Sequence, residues 1–98
     1  MEVKVEKTGI TNVAEIKERL EKEGYSNIYT WSDYPDTHYD WHTHSFDEVR
    51  WVYKGSVKIG YDNTVIELHP GDKMEIPAGT EHWAETKEGV SYVCGSKR

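Results

Sequence analysis

The chain has 98 residues, a formal net charge of −6 and 36% hydrophobic residues. This length fits one domain with a single hydrophobic core, and its four Trp and seven Tyr supply bulky side chains to fill that core. No stretch concentrates Lys and Arg, which argues against nucleic acids and anionic membranes as partners because both require basic patches.

The N-terminal ten residues, MEVKVEKTGI, are polar and charged and lack the apolar run of a signal peptide. No stretch approaches the roughly 18 apolar residues of a membrane span. Cys94 is the only cysteine, so an internal disulfide is excluded and this side chain is expected to be a small buried hydrophobe. We therefore expect a cytoplasmic protein.

Residues 11–24 carry the pattern of one amphipathic helix. Asn12 followed by Glu15 fits a capping box, and Gly24 suits the position just after the helix end. The apolar stripe consists of Val13, Ile16 and Leu20. We predict a helix over about residues 12–23 that packs through this stripe on the outside of a larger body.

After Gly24 the apolar periodicity changes to two, which is typical of strands. The short runs rich in β-branched and aromatic residues are NIYTW, EVRWVYK, SVKIGY, TVIEL, KMEI and VSYVC. Asp62-Asn63 between two of these runs predicts a two-residue hairpin connection, because both residue types tolerate positive φ. Many short strands without a repeat or linker predict a β-sandwich or barrel in a single domain over residues 1–98.

The segment THYDWHTHS is the first candidate site. On a regular strand, alternation separates a polar face from a largely aromatic one. The polar face would hold His38, Asp40, His42 and His44, and the opposite face Tyr39, Trp41 and Thr43. Taken alone, this pattern fits a solvated face as well as a face lining a metal site.

The next strand, EVRWVYK, adds a carboxylate and a guanidinium to the candidate site. Alternation places Glu48, Arg50 and Val52 on one face and Val49, Trp51 and Tyr53 on the other. Imidazole nitrogens with a carboxylate oxygen suit Mn, Fe, Co, Ni, Cu or Zn. Further along, Pro77 and Gly79 indicate a tight turn that can bring His82 to the same place.

These two segments resemble the two motifs of the cupin family, G-x5-HxH-x3(4)-E-x6-G and G-x5-PxG-x2-H-x3-N. The matched positions, at the family spacing, are His42, His44, Glu48, Gly55, Gly71, Pro77, Gly79 and His82. Asp36 stands in place of the leading glycine and Thr86 in place of the final asparagine. A threonine hydroxyl can form hydrogen bonds in a similar way to that asparagine.

The resemblance implies an all-β fold, the cupin double-stranded β-helix or jelly-roll barrel, over about residues 26–95 after one N-terminal α-helix. It also implies one divalent transition metal, of unspecified identity among Mn, Fe, Zn, Ni, Co and Cu. The implied ligands are His42, His44, Glu48 and His82. A barrel with an empty or degenerate site is the weaker alternative, since all four ligand types are intact.

Arg50 would point into the same barrel, where an isolated charge is costly. It either pairs with Glu48 or Asp40 as a structural ion pair or clamps a substrate carboxylate or enolate beside the metal. In an enzyme, Asp40 or Tyr53 would handle a proton. If the strand starts early enough, His38 would lie with Asp40 above His42 and could orient that ring or transfer a proton. We favour a surface position for His38 and expect His69 to be exposed.

The family is a poor guide to chemistry, because one fold hosts many reactions. We predict a metal-dependent enzyme, dioxygenase- or isomerase-like, acting on a small oxygen-rich or anionic molecule. The alternative is a non-catalytic module that binds metal or a small ligand. We also expect a homodimer, since small cupins commonly pair and aromatic side chains are enriched at interfaces. Five aromatic side chains are expected to lie mostly away from the metal face, where they either fill the space between two sheets or form the subunit interface: Trp31, Trp41, Trp51, Tyr53 and Trp83.

Overall fold

The computed structural model describes residues 2–97, which form one helix and nine strands. The elements are β1 (Lys4–Lys7), α1 (Val13–Lys22), β2 (Ser26–Asp33), β3 (Thr37–His42), β4 (Asp47–Gly55), β5 (Val57–Tyr61), β6 (Thr64–Leu68), β7 (Asp72–Ile76), β8 (His82–Thr86) and β9 (Val90–Lys97). The predicted all-β fold with one N-terminal helix is therefore confirmed.

The strands form two antiparallel sheets. The five-stranded sheet has the order β1-β7-β4-β9-β2, and the four-stranded sheet has the order β3-β8-β5-β6. Neighbours in each sheet are mostly distant along the chain, as in a jelly roll. Consecutive strands β2 and β3 form an edge of different sheets, so the Asp33–Thr37 connection crosses from one sheet to the other.

Strand β1 lies outside the expectations drawn from the sequence. Its four residues, KVEK, are all exposed and offer no apolar alternation. They pair with β7, from Lys4 opposite Glu75 to Lys7 opposite Asp72, and make β1 the edge of this sheet. Backbone pairing at a sheet edge, with an ion pair between Lys7 and Asp72 at 3.3 Å, holds this strand in place.

Helix α1 begins where its capping residue predicts. The side chain of Asn12 accepts a hydrogen bond from the backbone N–H of Glu15 at 2.9 Å. Ile16 and Leu20 are fully buried, and Gly24 follows the helix with φ of +93°. The apolar stripe thus packs the helix onto the sheet, as its spacing predicts.

The layer between α1 and the five-stranded sheet is organised around Trp51. This side chain is 1% exposed and its indole N–H donates to the carbonyl oxygen of Ile10 at 3.0 Å. The ammonium of Lys73 lies 5.5 Å from the centre of its ring and pairs with Glu23 at the helix end. The helix, its end and the sheet are therefore joined by apolar packing and by a largely buried cation.

A second core fills the space between the two sheets. Its buried side chains are Val52, Val57, Ile59, Leu68, Met74, Ile76, Ala84, Val90, Tyr92 and Cys94. The buried free Cys94 agrees with its predicted role as a small core residue. The Asp62-Asn63 connection is also as predicted, because Tyr61 pairs with Thr64 and Asp62 adopts φ of +50°.

The structure explains the residue types at three ends of the two sequence motifs, namely at Gly55, Asp36 and Thr86. Gly55 has φ of +76°, and an added Cβ would lie 2.1 Å from the carbonyl oxygen of Gly89. Asp36, where the family pattern has glycine, has φ of +65°, a conformation that aspartate tolerates better than most residues. Thr86 replaces asparagine, and its buried hydroxyl donates to the Ser56 carbonyl at 2.7 Å and accepts from the Gly89 N–H at 2.9 Å.

We expect Gly55→Ala to lower the free energy of unfolding by about 3 kcal/mol, because it combines a strained φ with a backbone clash. Gly9→Ala is the matched control, since Gly9 also has positive φ but open space around its Cβ position. It should cost about 1 kcal/mol, from strain alone. Urea unfolding of both variants measures the difference, and equal losses would show that the close approach to Gly89 is unimportant.

Candidate metal centre

Three imidazoles converge at one end of the space between the sheets. His42 ends β3, His82 begins β8, and His44 lies in the loop that follows β3. Each offers a ring nitrogen, and these nitrogens all lie within 4.8 Å of one another. The centre of the His42 ring lies 4.9 Å from the centre of the His44 ring and 4.3 Å from that of the His82 ring. The structure therefore brings together two neighbouring histidines and a third that follows His42 by 40 positions in the sequence.

The backbone fixes two of these rings in one tautomer. Nδ1 of His42 donates to the carbonyl oxygen of Asp40 at 2.6 Å, and Nδ1 of His82 donates to the carbonyl oxygen of Thr80 at 2.9 Å. A neutral imidazole with its proton on Nδ1 carries the free lone pair on Nε2. Both rings are thus prepared to bind a metal ion through Nε2.

The Nε2 atoms of His44 and His82 are buried, and neither has a hydrogen-bond partner among residues 2–97. Burial is the main cause that lowers the pKa of both rings, and the nearby charge of Arg50 also lowers it. Both are therefore neutral at pH 7. Buried unpartnered nitrogens are costly, and a divalent transition metal would satisfy them. The donor set fits such an ion.

The turn predicted at Pro77-Ala78-Gly79 holds the loop that carries His44. The N–H of Gly79 donates to the carbonyl oxygen of His44 at 3.0 Å, and the N–H of Ala78 donates to the Asp47 carboxylate at 2.8 Å. The second motif thus supplies His82 and also positions His44 of the first motif.

Glu48 lies beside the three imidazoles, between His44 and Arg50. One carboxylate oxygen is 3.4 Å from Nδ1 of His44, and the other is 3.5 Å from a guanidinium nitrogen of Arg50. Among the described residues, the mutually close nitrogens come from the histidines, and Glu48 is outside that group. Its role as the fourth ligand remains a prediction.

A bulge in β3 changes which side chains share a face. Tyr39 pairs with Ala84 and His42 with His82, so the register shifts between them. His38 consequently does not share the face of His42, contrary to strict alternation. It lies near Glu85 at 3.4 Å and stacks on Trp83, with both His38 and Glu85 side chains well exposed.

Arg50 is largely withdrawn from solvent, with a side chain 18% exposed. Its guanidinium donates to Cys94 Sγ at 3.6 Å and lies 5.4 Å from the centre of the Tyr92 ring. Burial pushes the pKa of Arg50 down, but the nearby Cys94, Tyr92 and Glu48 outweigh it, so the pKa is raised and the group stays charged. This side chain therefore places a fixed positive charge next to the histidines.

The histidines and Arg50 line a cavity of about 620 Å³. The other residues that line it are mainly aromatic, and the sequence motifs did not predict this feature. The other lining residues are Tyr29, Trp31, Asp33, Tyr39, Asp40, Ala84 and Tyr92. The period-two pattern of NIYTW places Tyr29 and Trp31 on the same face of a strand. It does not tell whether that face is turned toward the cavity.

The predicted proton-handling residues separate in the structure. Asp40 borders the cavity, and its carboxylate accepts from the backbone N–H of Trp41 at 2.8 Å. Tyr53 packs against the buried cluster beneath α1, together with Trp51. Tyr53 thus lies with Trp51 beneath the helix and not among the residues that line the cavity, so the structure does not bring it to the site.

The aromatic side chains expected to avoid the metal face are also divided. Trp51 lies beneath the helix, whereas Trp31 lines the cavity, which corrects its expected placement. Trp41 is 49% exposed and lies outside that cavity. The homodimer stays a prediction.

The sequence pattern of the family described as Cupin domain matches residues 30–94. The chain belongs to the cupin family. The acireductone dioxygenase 1 of Pectobacterium atrosepticum is 39% identical over 56 residues, which are 53% of this chain and 32% of that protein. An acireductone dioxygenase of Sulfurihydrogenibium is 40% identical over 57 residues, 54% of this chain and 32% of that protein. This cupin spans about a third of the length of these curated relatives.

Solved structures confirm the fold. A DUF861 family protein from Thermotoga maritima has a TM-score of 0.70 at 18% identity, covering 98% of this cupin and 100% of that chain. A cupin-2 domain containing protein from Shewanella frigidimarina has a TM-score of 0.66 at 23% identity, and the match covers 93% of this cupin and 97% of that chain. Within residues 2–97, no helix is sufficiently long and apolar for a membrane span.

We expect the purified cupin to hold about one equivalent of a divalent transition metal, measured by inductively coupled plasma mass spectrometry after reconstitution. His42→Ala and His82→Ala should each lose most of it, because two imidazoles hold an ion far less tightly than three. His38→Ala and His69→Ala are the controls, since both side chains are more than half exposed and lie elsewhere. Equal metal content in all four variants would contradict the assignment.

Proposed function

We propose that this cupin is a metal-dependent enzyme of the dioxygenase type, acting on a small, oxygen-rich, anionic molecule. The observation that carries the proposal is one cavity holding three imidazoles, two with buried unpartnered Nε2 atoms, beside the charged Arg50. The local similarity to two acireductone dioxygenases supports this reaction type over an isomerase.

His42, His44 and His82 would hold the ion, with Glu48 as the proposed fourth ligand. A divalent transition metal bound there supplies Lewis acidity and, for iron, manganese, nickel or cobalt, access to redox chemistry. The chain itself contributes the ordering of these ligands. Backbone carbonyls hold two rings, and the Glu48 carboxylate faces the third.

Arg50 would bind and orient the anionic oxygen of the substrate. Within residues 2–97, the hydrogen bonds of its guanidinium are long, at 3.5 Å to Glu48 and 3.6 Å to Cys94 Sγ. These leave donors for a carboxylate or enolate, which guanidinium groups bind in a fixed geometry. The structural pairing with Glu48 and the anion-binding role are thus compatible, because one guanidinium carries five N–H donors.

Asp40 would accept or return the substrate proton at the edge of the cavity. Its backbone carbonyl accepts the hydrogen bond from Nδ1 of His42, so its main chain positions that ring. Its side chain accepts one hydrogen bond, from the N–H of Trp41, and a carboxylate can accept more. A carboxylate at the cavity border remains in contact with solvent, which allows proton exchange during turnover.

We expect Glu48→Gln to lower metal affinity by at least about 10-fold, since the carboxylate charge and a ligand oxygen are both lost. The visible absorption spectrum of the Co²⁺-substituted protein should change with it. Glu85→Gln is the control, because Glu85 lies beside the exposed His38. An unchanged Co²⁺ spectrum in Glu48→Gln would show that Glu48 only orients His44.

We expect the protein loaded with Fe²⁺, Mn²⁺ or Ni²⁺ to consume dioxygen in the presence of an acireductone, measured with an oxygen electrode. Arg50→Gln should lower kcat/KM by about 30-fold, the effect of losing a charged hydrogen bond of roughly 2 kcal/mol. Arg19→Gln on the exposed face of α1 is the control. Metal and ligand binding without oxygen uptake would favour the non-catalytic binding module.

A further inference from the structure

The cavity is also lined by partly exposed aromatic side chains that the proposed reaction does not use. Tyr29 and Trp31 lie on β2 and Tyr39 on β3, and we call these three the aromatic rim. They are 43%, 50% and 39% exposed. Because β2 and β3 are edge strands of the two sheets, no further described strand covers the side of the cavity at which these rings lie.

Asp33 orders two members of the aromatic rim. A single carboxylate oxygen accepts from the indole N–H of Trp31 at 2.9 Å and from the hydroxyl of Tyr39 at 2.7 Å. This arrangement links the edge strands of both sheets through one side chain. Since the polar atoms of the two rings are engaged by Asp33, the rest of each ring offers apolar surface to the cavity.

The same cavity also has a charged part. Arg50 and the histidines line it together with the aromatic rim, and the Arg50 guanidinium lies 5.4 Å from the centre of the Tyr92 ring. An anionic head group of a few atoms that reaches Arg50 fills only part of about 620 Å³. Cavities of this size suit ligands whose body extends well beyond a small head group.

We propose that the aromatic rim is a specificity subsite for the apolar, flat body of a substrate whose anionic, oxygen-rich head reaches Arg50 and the histidines. An aryl-substituted α-keto acid or its enolate has this chemistry. Its ring would pack against Trp31 and Tyr39 in offset or edge-to-face geometry. This inference rests on the proposed function for the chemistry of the head group, and it adds the chemical class of the rest of the substrate.

Two probes with the same head test the subsite. Phenylpyruvate and pyruvate share the α-keto carboxylate and differ in the aryl group, so their affinity ratio reports the body alone. We expect phenylpyruvate to bind the Mn²⁺-loaded protein at least about 10-fold more tightly by anaerobic titration calorimetry, from aromatic contact and apolar burial.

Variants then assign the preference to the rim. Trp31→Ala should reduce the affinity ratio to near one, and Trp31→Phe should retain most of it. Trp41→Ala is the matched control, because Trp41 is equally half-exposed but does not line the cavity. Arg50→Gln should weaken both probes by a similar factor, leaving the ratio intact. Equal metal content and urea midpoints confirm that the Trp variants are folded.

The outcomes separate this inference from the proposed function. Equal affinities of the two probes in the unmodified protein, with binding that still depends on Arg50, overturn the subsite and retain the anion site. Binding of neither probe to the loaded protein overturns both. A dimer in sedimentation velocity that Trp31→Ala dissociates would show that a second copy covers the rim, which also overturns the subsite.

Discussion

The bulge in β3 decides what the space between the sheets contains. Side chains alternate along a strand, so Tyr39 and His42, three positions apart, belong on opposite faces of a regular strand. Opposite the two-residue step from Ala84 to His82 on β8, however, β3 takes three residues. The extra residue returns both Tyr39 and His42 to the inner face. Without it, His42 and Tyr39 could not border the same cavity.

Strand β4 meets a different demand, since both of its faces are covered. Val49 and Trp51 pack beneath α1, while Glu48 and Arg50 face the site. A strand that places two charged side chains between sheets gains little from that face, because burying charge is unfavourable. The apolar packing of α1 on the other face offsets this, and the helix therefore supports the site without touching it.

Features that depend on local spacing were predictable from the sequence. The stripe of α1, the Asp62-Asn63 hairpin and the Pro77–Gly79 turn each follow from a few neighbouring residues. The bulge was not, because nothing in THYDWHTH distinguishes a bulged strand from a regular one. The aromatic lining of the cavity was not predictable either, since Trp31 is placed opposite Tyr92 by the long-range pairing of β2 with β9. The edge strand β1 was not predicted, because a strand can pair at a sheet edge without an apolar pattern in its sequence.

The three imidazoles are held by different means. His42 and His82 each donate Nδ1–H to the carbonyl oxygen two residues earlier, so their tautomer is set by the main chain and does not depend on the side chains at those positions. His44 instead faces the carboxylate of Glu48. That carboxylate also contacts Arg50, so a single side chain connects the histidine cluster to the fixed positive charge. If Glu48 moved toward a bound ion, its contact with Arg50 would change, and we therefore expect the proposed binding of metal and of anion to be coupled through this residue.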